Sequence, residues 1–362
     1  MTDQPLPPQP PASPGPAPAA PGPQITPVRP AAKAEPKRRG GVLRVLMGIF
    51  LGLSVVANLV LVVLVVGLMA AVFEGGDDTY LERAIEGGSG GDVFSPQPKI
   101  AVISITGIID ESLASAVHRQ IERAANDPKV RAVILKINSP GGGLTASDNI
   151  HHDVKTLLVD RNKPVIAAMG GVAASGGYYV ACSADQIVAQ QTTITGSIGV
   201  IAQFYFLNGL LKDKLGITPV TLKMGRQKDW PNMFAADMTP EQQDYLLNTL
   251  LKPGYDQFVD IVAEARGMRR DKVLELATGR IFMAKEAKQT GLIDEIGYFE
   301  RAVELAKEKA GVPRARVVEY VQPFNFAELF GASAQSKALF DLKPEKLAAL
   351  ASPKVMYLWT GF

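Results

Sequence analysis

The sequence predicts an α/β domain carried behind a single membrane-spanning helix. From Lys99 onward, short β-rich runs alternate with segments of helical spacing, the pattern of parallel strands joined by helices. Between Val45 and Phe73 there is no charged residue, and about 20 apolar residues suffice to cross a bilayer. Small-residue turns follow several of the strands, and one of them holds a lone serine.

The chain of 362 residues has room for an anchor and one large domain or two small ones. Its net charge of +2 gives no general reason to expect nucleic acid. Residues 1–44 carry six basic and two acidic side chains, and the membrane segment follows at once. Of the 26 prolines, 13 fall in residues 1–36, which therefore bury no core and are expected to be disordered and cytoplasmic. The apolar run at 45–73 is too long, and begins too late, for a cleaved signal peptide. Basic residues before it and Glu74, Asp77 and Asp78 after it place the N-terminus in the cytoplasm and the rest outside. Residues 74–98, Gly-rich and acidic, read as a linker.

Strands are then expected at Lys99–Ile105, Val130–Ile137, Pro164–Met169, Gln186–Ala189, Gly199–Ala202 and Thr218–Lys223. Helices are expected at Glu111–Asn126, Thr145–Leu158 and Ser175–Ala184, followed by Pro240–Arg266, Arg270–Thr278, Ala284–Thr290 and Glu300–Ala310. Residues 321–362 form a C-terminal extension that the pattern does not place.

The most informative stretch is Gly170–Tyr179 (GGVAASGGYY). A strand, a small-residue turn and a serine at a helix start are how a fold exposes a nucleophilic hydroxyl. The alternative is a plain helix N-cap. A second loop, Asn138-Ser139-Pro140-Gly141-Gly142-Gly143, ends a strand. A phosphate cradle would need a following Gly-Lys-Ser/Thr, which is absent. Exposed backbone N–H groups there would suit an oxyanion hole, and a geometric turn is the remaining alternative. Thr192–Val200 is small and polar and could bring a hydroxyl to the same place.

A serine nucleophile needs a base. The chain's three histidines, His118, His151 and His152, all precede the serine on expected helices, and no third ligand gives the pair metal spacing. Lysine is the next candidate, since a free amine accepts a proton. Lys223 and Lys228 lie in Lys223–Asp229, and spacing alone does not choose between them. The single cysteine, Cys182, excludes an internal disulfide and reads as a buried small hydrophobe.

Taken in order, Asn138–Gly143, Ala173–Tyr179, Thr195–Val200 and Lys223–Asp229 resemble the short form of bacterial signal peptide peptidase A, a membrane-anchored Ser/Lys protease family. Gly279–Phe282 and Ala287–Gly297 (AKQTGLIDEIG) fit it too. The resemblance covers about Lys99 to Gly311. It implies the stacked ββα units of the Clp-protease/crotonase fold with added helices, in a peptidase domain at 99–320. It implies Ser175 as nucleophile, Lys228 as general base, Ser197 as the residue positioning the lysine amine, and Gly142 and Gly176 as oxyanion donors. It implies no metal, nucleotide or other cofactor. The implied substrates are remnant signal peptides or other apolar peptides, cut at the bacterial cytoplasmic membrane by a homo-oligomer in which Ser and Lys come from adjacent subunits. The Pro-rich tail and Trp230-Pro231 depart from the family pattern. The rival readings are a related membrane Ser/Lys peptidase acting on membrane proteins, a crotonase-like acyl-CoA enzyme and an inactive scaffold. CoA is cytoplasmic, which disfavours the enzyme on an exported domain.

The charge bias across the anchor predicts that protease added outside spheroplasts digests the domain after Phe73 and spares residues 1–40. Protection of the domain would reverse the topology.

Overall fold

The computed structural model describes residues 41–73, 80–86, 97–321 and 354–360. The chain divides into two compact units, Met1–Glu74 and Gly75–Phe362. The expected disorder of the Pro-rich tail lies outside the described residues, as does most of the C-terminal extension.

In the first unit a helix α1 spans Gly41–Phe73. Its apolar stretch Arg44–Val65 has 22 residues. At 1.5 Å per residue that is about 33 Å, enough for a hydrocarbon core of about 30 Å. Within it, Asn58 Nδ2 donates to the Ser54 backbone carbonyl one turn earlier at 2.7 Å.

The second unit begins with a strand β1 at Leu81–Glu86, inside the stretch expected as linker. Its partner lies more than 200 residues away, so local sequence carried no sign of it. Next come β2 (Lys99–Thr106), α2 (Glu111–Asn126), β3 (Val130–Ser139), β4 (Gly141–Gly143) and α3 (Leu144–Asp153), which a π-helical turn extends to Val159. β5 (Val165–Ala174) leads into α4 (Gly176–Ala181), then β6 (Gln186–Ala189), β7 (Ile194–Gly196) and β8 (Ile201–Gln203). Past an irregular stretch come α5 (Pro240–Leu246), α6 (Lys252–Arg266), α7 (Arg270–Leu276), β9 (Ile281–Met283) and α8 (Ala284–Gln289). β10 (Glu295–Ile296), α9 (Phe299–Ala310), β11 (Arg316–Val321) and β12 (Lys354–Leu358) complete the order.

The main sheet runs β1-β11-β2-β3-β5-β6-β10, with β7 paired to the end of β5 and β9 to β7. From β11 to β10 the pairing is parallel, and β1 closes the edge antiparallel. Parallel strands covered on both faces read as continuous apolar runs, which is why Lys99–Ile105 and Val130–Ile137 were legible. Alternate residues then serve two cores. Ile103, Leu135 and Ala167 face one, with Val117 and Ile121 of α2 and Phe258 and Val262 of α6. Val102, Ile134 and Ile166 face the other, with Val303 and Ala306 of α9. Helix α2 starts where Asp110 accepts the Leu113 N–H at 2.9 Å, an N-cap.

A second sheet has the order β4-β12-β8. It sits at the carboxyl ends of β3 and β5, where open parallel sheets place ligands. Two expectations differ. Thr218–Lys223 forms no strand; it has no pairing partner among the described residues, and Leu222 is 92% exposed. The third helix covers Gly176–Ala181 and is shorter than Ser175–Ala184.

Leu135→Ala should lower stability by about 2–5 kcal/mol, the usual result of emptying a core position. Leu222→Ala, at an exposed site, should stay within about 0.5 kcal/mol. Urea midpoints of the detergent-solubilised chain measure both, and equal shifts would contradict this division of core and surface.

Candidate active site

The end of β5 is clamped before it turns. Asn138 Oδ1 accepts the Val172 N–H at 3.1 Å, Thr193 Oγ1 donates to the Gly170 carbonyl at 2.6 Å, and Thr195 Oγ1 donates to the Ala173 carbonyl at 2.7 Å. Thr195 therefore spends its hydroxyl on the strand. β7 runs parallel beside this end, pairing Ala174 with Gly196.

Ser175 follows, at φ 52° and ψ −116°. A non-glycine residue there is strained by about 1–3 kcal/mol, and such strain gathers at functional turns. Its N–H donates to the Gly196 carbonyl at 2.7 Å, and its carbonyl accepts the Tyr179 N–H at 2.8 Å. The residue stands at the N-cap position of α4, yet its side chain makes no capping hydrogen bond. The plain N-cap reading is thereby set aside, and the hydroxyl is left for other use.

The glycine loop lies against this turn. Ser139 Oγ accepts the Gly141 N–H at 3.0 Å. Ile109 donates its N–H to the Gly141 carbonyl at 2.9 Å and accepts the Gly143 N–H at 2.8 Å. Gly141 and Gly143 thus face Ile109, and strand alternation turns the N–H of Gly142 the opposite way. A Cβ on Gly176 would lie 3.1 Å from the Gly142 nitrogen and 2.5 Å from Ser147 Oγ. The two segments approach so closely because Gly141, Gly142 and Gly176 carry no side chains.

Ser197 closes the group. Its φ is 51°, its N–H donates to the Arg280 carbonyl at 2.8 Å, and it is buried. Among the described residues three non-glycines have positive φ, and two are Ser175 and Ser197. Gly196 between the strand and Ser197 has φ +77°, and a Cβ there would meet the Phe282 ring at 2.4 Å.

The structure thus brings Ser175, Ser197, Gly142 and Gly176 together, and it leaves Lys228 apart. Lys228 is exposed in a turn where its N–H donates to the Gly225 carbonyl at 3.3 Å. Among the described residues no hydrogen bond or ion pair joins its amine to either serine. Lys223 is engaged, in an ion pair with Asp229 and a 3.1 Å hydrogen bond to the Arg226 carbonyl. That contact holds the Asp229 carboxyl below its ordinary range.

Two of the three histidines have other work. His118 Nδ1 lies 2.9 Å from Asp153. His151 packs edge-on against the Tyr179 ring, and burial pushes its pKa down to about 4. Burial pushes the Cys182 thiol up to about 12, the reverse of a thiolate nucleophile. Sequence reading missed a polar group under the turn: Tyr179 donates its hydroxyl to Asp148 at 2.6 Å, and Gln257 donates to both, at 2.8 Å to Asp148 and 2.9 Å to Tyr179. The spacing of Asp148, Tyr179 and Gln257 along the chain offers no signal of it.

Residues 158–313 match the description of peptidase family S49, and residues 99–205 match the N-terminal domain of NfeD1b. A relative in Enterococcus faecium, "Putative signal peptide peptidase SppA", is 33% identical over 312 residues, covering 80% of this chain and 87% of that protein. "Protease 4" of Haemophilus influenzae is 37% identical over 217 residues, 58% of this chain but 34% of its own length. Among solved structures, a point mutant of ClpP1 from Listeria monocytogenes matches at a TM-score of 0.36 and 20% identity, covering 56% of this chain and 94% of that one.

With a thiol pKa of about 12, Cys182 stays protonated and shielded through pH 9. Iodoacetamide should label it only after unfolding, and the treated protein should keep its activity. Stoichiometric labelling of the native chain by mass spectrometry would refute its burial.

Proposed function

The chain belongs to peptidase family S49 and is a serine protease, and we propose that it cleaves apolar peptides, remnant signal peptides among them, with Ser175 as nucleophile and Lys228 as base. The observation that carries this reading is the Ser175 turn: a strained serine with an uncommitted hydroxyl, beside the paired backbone nitrogens of Gly142 and Gly176. Attack by Ser175 Oγ on a carbonyl would push negative charge onto the carbonyl oxygen. Two preorganised N–H donors beside it stabilise that charge without reorganising. The serine's proton passes to a free amine, an acyl-enzyme forms, and water hydrolyses it.

Lys228 is favoured over Lys223 because Lys223 is already held by Asp229. Lys228 reaches Ser175 of a neighbouring copy, with Ser197 Oγ as its hydrogen-bond partner. The exposed Val220, Leu222 and Met224 beside it fit burial in such a contact. The catalytic unit is held by α1 at a cytoplasmic membrane, N-terminus inside, where an anchored enzyme meets membrane-released peptides at high effective concentration.

On a fluorogenic apolar peptide, Ser175→Ala, Lys228→Ala and Lys228→Arg should each abolish turnover, arginine because it keeps its proton. Lys223→Ala should be mild, and the reverse pattern would move the base to Lys223.

A lysine accepts a proton only as the free amine, so kcat/KM should rise with pH toward an alkaline plateau. Ser197→Ala should lower the rate roughly 10- to 1000-fold, the range for losing one orienting donor. A folded wild type whose rate falls from pH 6 to pH 9 would remove lysine as the base.

A further inference from the structure

Ser197 leans on β9. That strand pairs antiparallel with β7, Thr195 facing Phe282 and Gly196 facing Ile281. Beyond the last pair the ladder continues in backbone hydrogen bonds. Ser197 donates its N–H to the Arg280 carbonyl at 2.8 Å, and Gly279 donates to the Ile198 carbonyl at 3.0 Å. At the opposite end Ala284 donates to the Thr193 carbonyl at 3.1 Å. The Ser197 turn is therefore a continuation of β7, and residues 279–284 run along its outer edge.

The side chains of that edge lie on the turn. Phe282 is 1% exposed and its ring covers Gly196. A Cβ on Gly196 would stand 3.0 Å from Phe282 Cε2 and 3.3 Å from the Arg280 carbonyl oxygen, so glycine is what lets ring and turn meet. The Arg280 guanidinium folds back over the same ring, 3.9 Å from its centroid. That is well inside the ~6 Å reach of a cation–π contact. Arg280 Nη1 then donates to Glu286 Oε1 at 2.8 Å, in the first turn of α8. Arg280 is thus tied twice: its carbonyl holds Ser197, and its side chain is held by Phe282 and Glu286.

The two serines do not depend on this stack equally. Ser175 has supports on its own strand: the Thr193 and Thr195 hydroxyls and the Asn138 amide oxygen fix the end of β5, and the Tyr179 N–H takes the Ser175 carbonyl. Ser197 is also at positive φ, and its N–H is held by residue 280. Loosening Arg280 therefore releases Ser197 first. The Arg280–Glu286 pair is 47% and 44% exposed, and a surface pair of this kind adds little to stability. Its consequence is local, since it governs where the Arg280 carbonyl points.

Resting on the reading of Ser197 as the partner of the lysine amine, we propose that Arg280 and Phe282 are positioning residues for Ser197. The stack of guanidinium on ring fixes the Arg280 carbonyl, the carbonyl fixes the Ser197 turn, and the turn fixes the hydroxyl that orients the base. Misplacing the base slows proton transfer without loosening the hold on the peptide, so the loss falls on kcat.

The test measures turnover of a fluorogenic apolar peptide by the full detergent-solubilised chain. The variants are Arg280→Gln, Phe282→Leu, Ser197→Ala, and each of the first two combined with Ser197→Ala. Arg280→Gln should lower kcat roughly 3- to 10-fold, the size of one partly desolvated cation–π contact. Phe282→Leu should lower it roughly 10- to 100-fold, the scale of a small misplacement in an active site. KM should stay within about twofold in both, as expected when binding is untouched. Once Ser197→Ala has removed the hydroxyl, neither substitution should cost anything more, because residues that act through one group are not additive. Arg280→Gln changes a half-exposed side chain, so its urea midpoint should match wild type even where Phe282→Leu lowers it. Losses that persist in full in the Ser197→Ala background, losses confined to KM, or unchanged turnover in both single variants overturn this proposal and leave the Ser197 reading standing. Wild-type turnover in Ser197→Ala overturns the Ser197 reading itself, and this proposal with it.

Discussion

The hydrogen bond from the Ser175 N–H to the Gly196 carbonyl, 2.7 Å long, holds the two serine-bearing turns in register. It extends the β5–β7 pairing by one residue past the point where β5 ends. Without it, Ser175 would have little reason to stay in a left-handed conformation that its Cβ disfavours. The bond also reaches across to Ser197, which is fixed from its other side by Arg280. Two strained residues thus brace each other through a shared backbone. Strain of this kind persists only where the surroundings over-determine it. The Thr193 and Thr195 hydroxyls, both turned onto β5 carbonyls, supply that determination.

The glycines act on a different quantity, distance. Gly141, Gly142 and Gly176 come within reach of one another only because a Cβ at any of them would fall 3.1 Å or less from a backbone atom of a facing segment. Close backbone approach is what sets two N–H groups near one point, and a point of that kind stabilises developing negative charge. Conformational strain at the serine and steric emptiness at the glycines are separate requirements, met by adjacent segments of one sheet end.

Those requirements explain what was legible in the sequence. Gly-rich turns after apolar runs reveal themselves locally, and so did β2, β3, β5 and the Ser175 turn. Features made by partners far along the chain did not. β1 is a strand only because β11 lies beside it, and Leu81–Glu86 looked like part of a linker. β12 is five residues long and pairs with glycines more than 200 positions away. Thr218–Lys223 has β-prone composition but no neighbour to pair with among the described residues, so it stays irregular. The lysine proposed as base is the hardest case. Its place depends on what covers the exposed segment around Lys228, and the resemblance, not the spacing, chose it over Lys223.

An empty groove between β4 and β8 would present two open strand edges, each with unpaired N–H and C=O groups. It would also uncover the Tyr179 and Phe258 rings. β12 meets both demands at once, pairing the edges with its backbone and filling the pocket with Tyr357. Ser175, 1% exposed, is enclosed at the same sheet end. The features that make the groove complementary to an extended peptide are the ones that keep it filled.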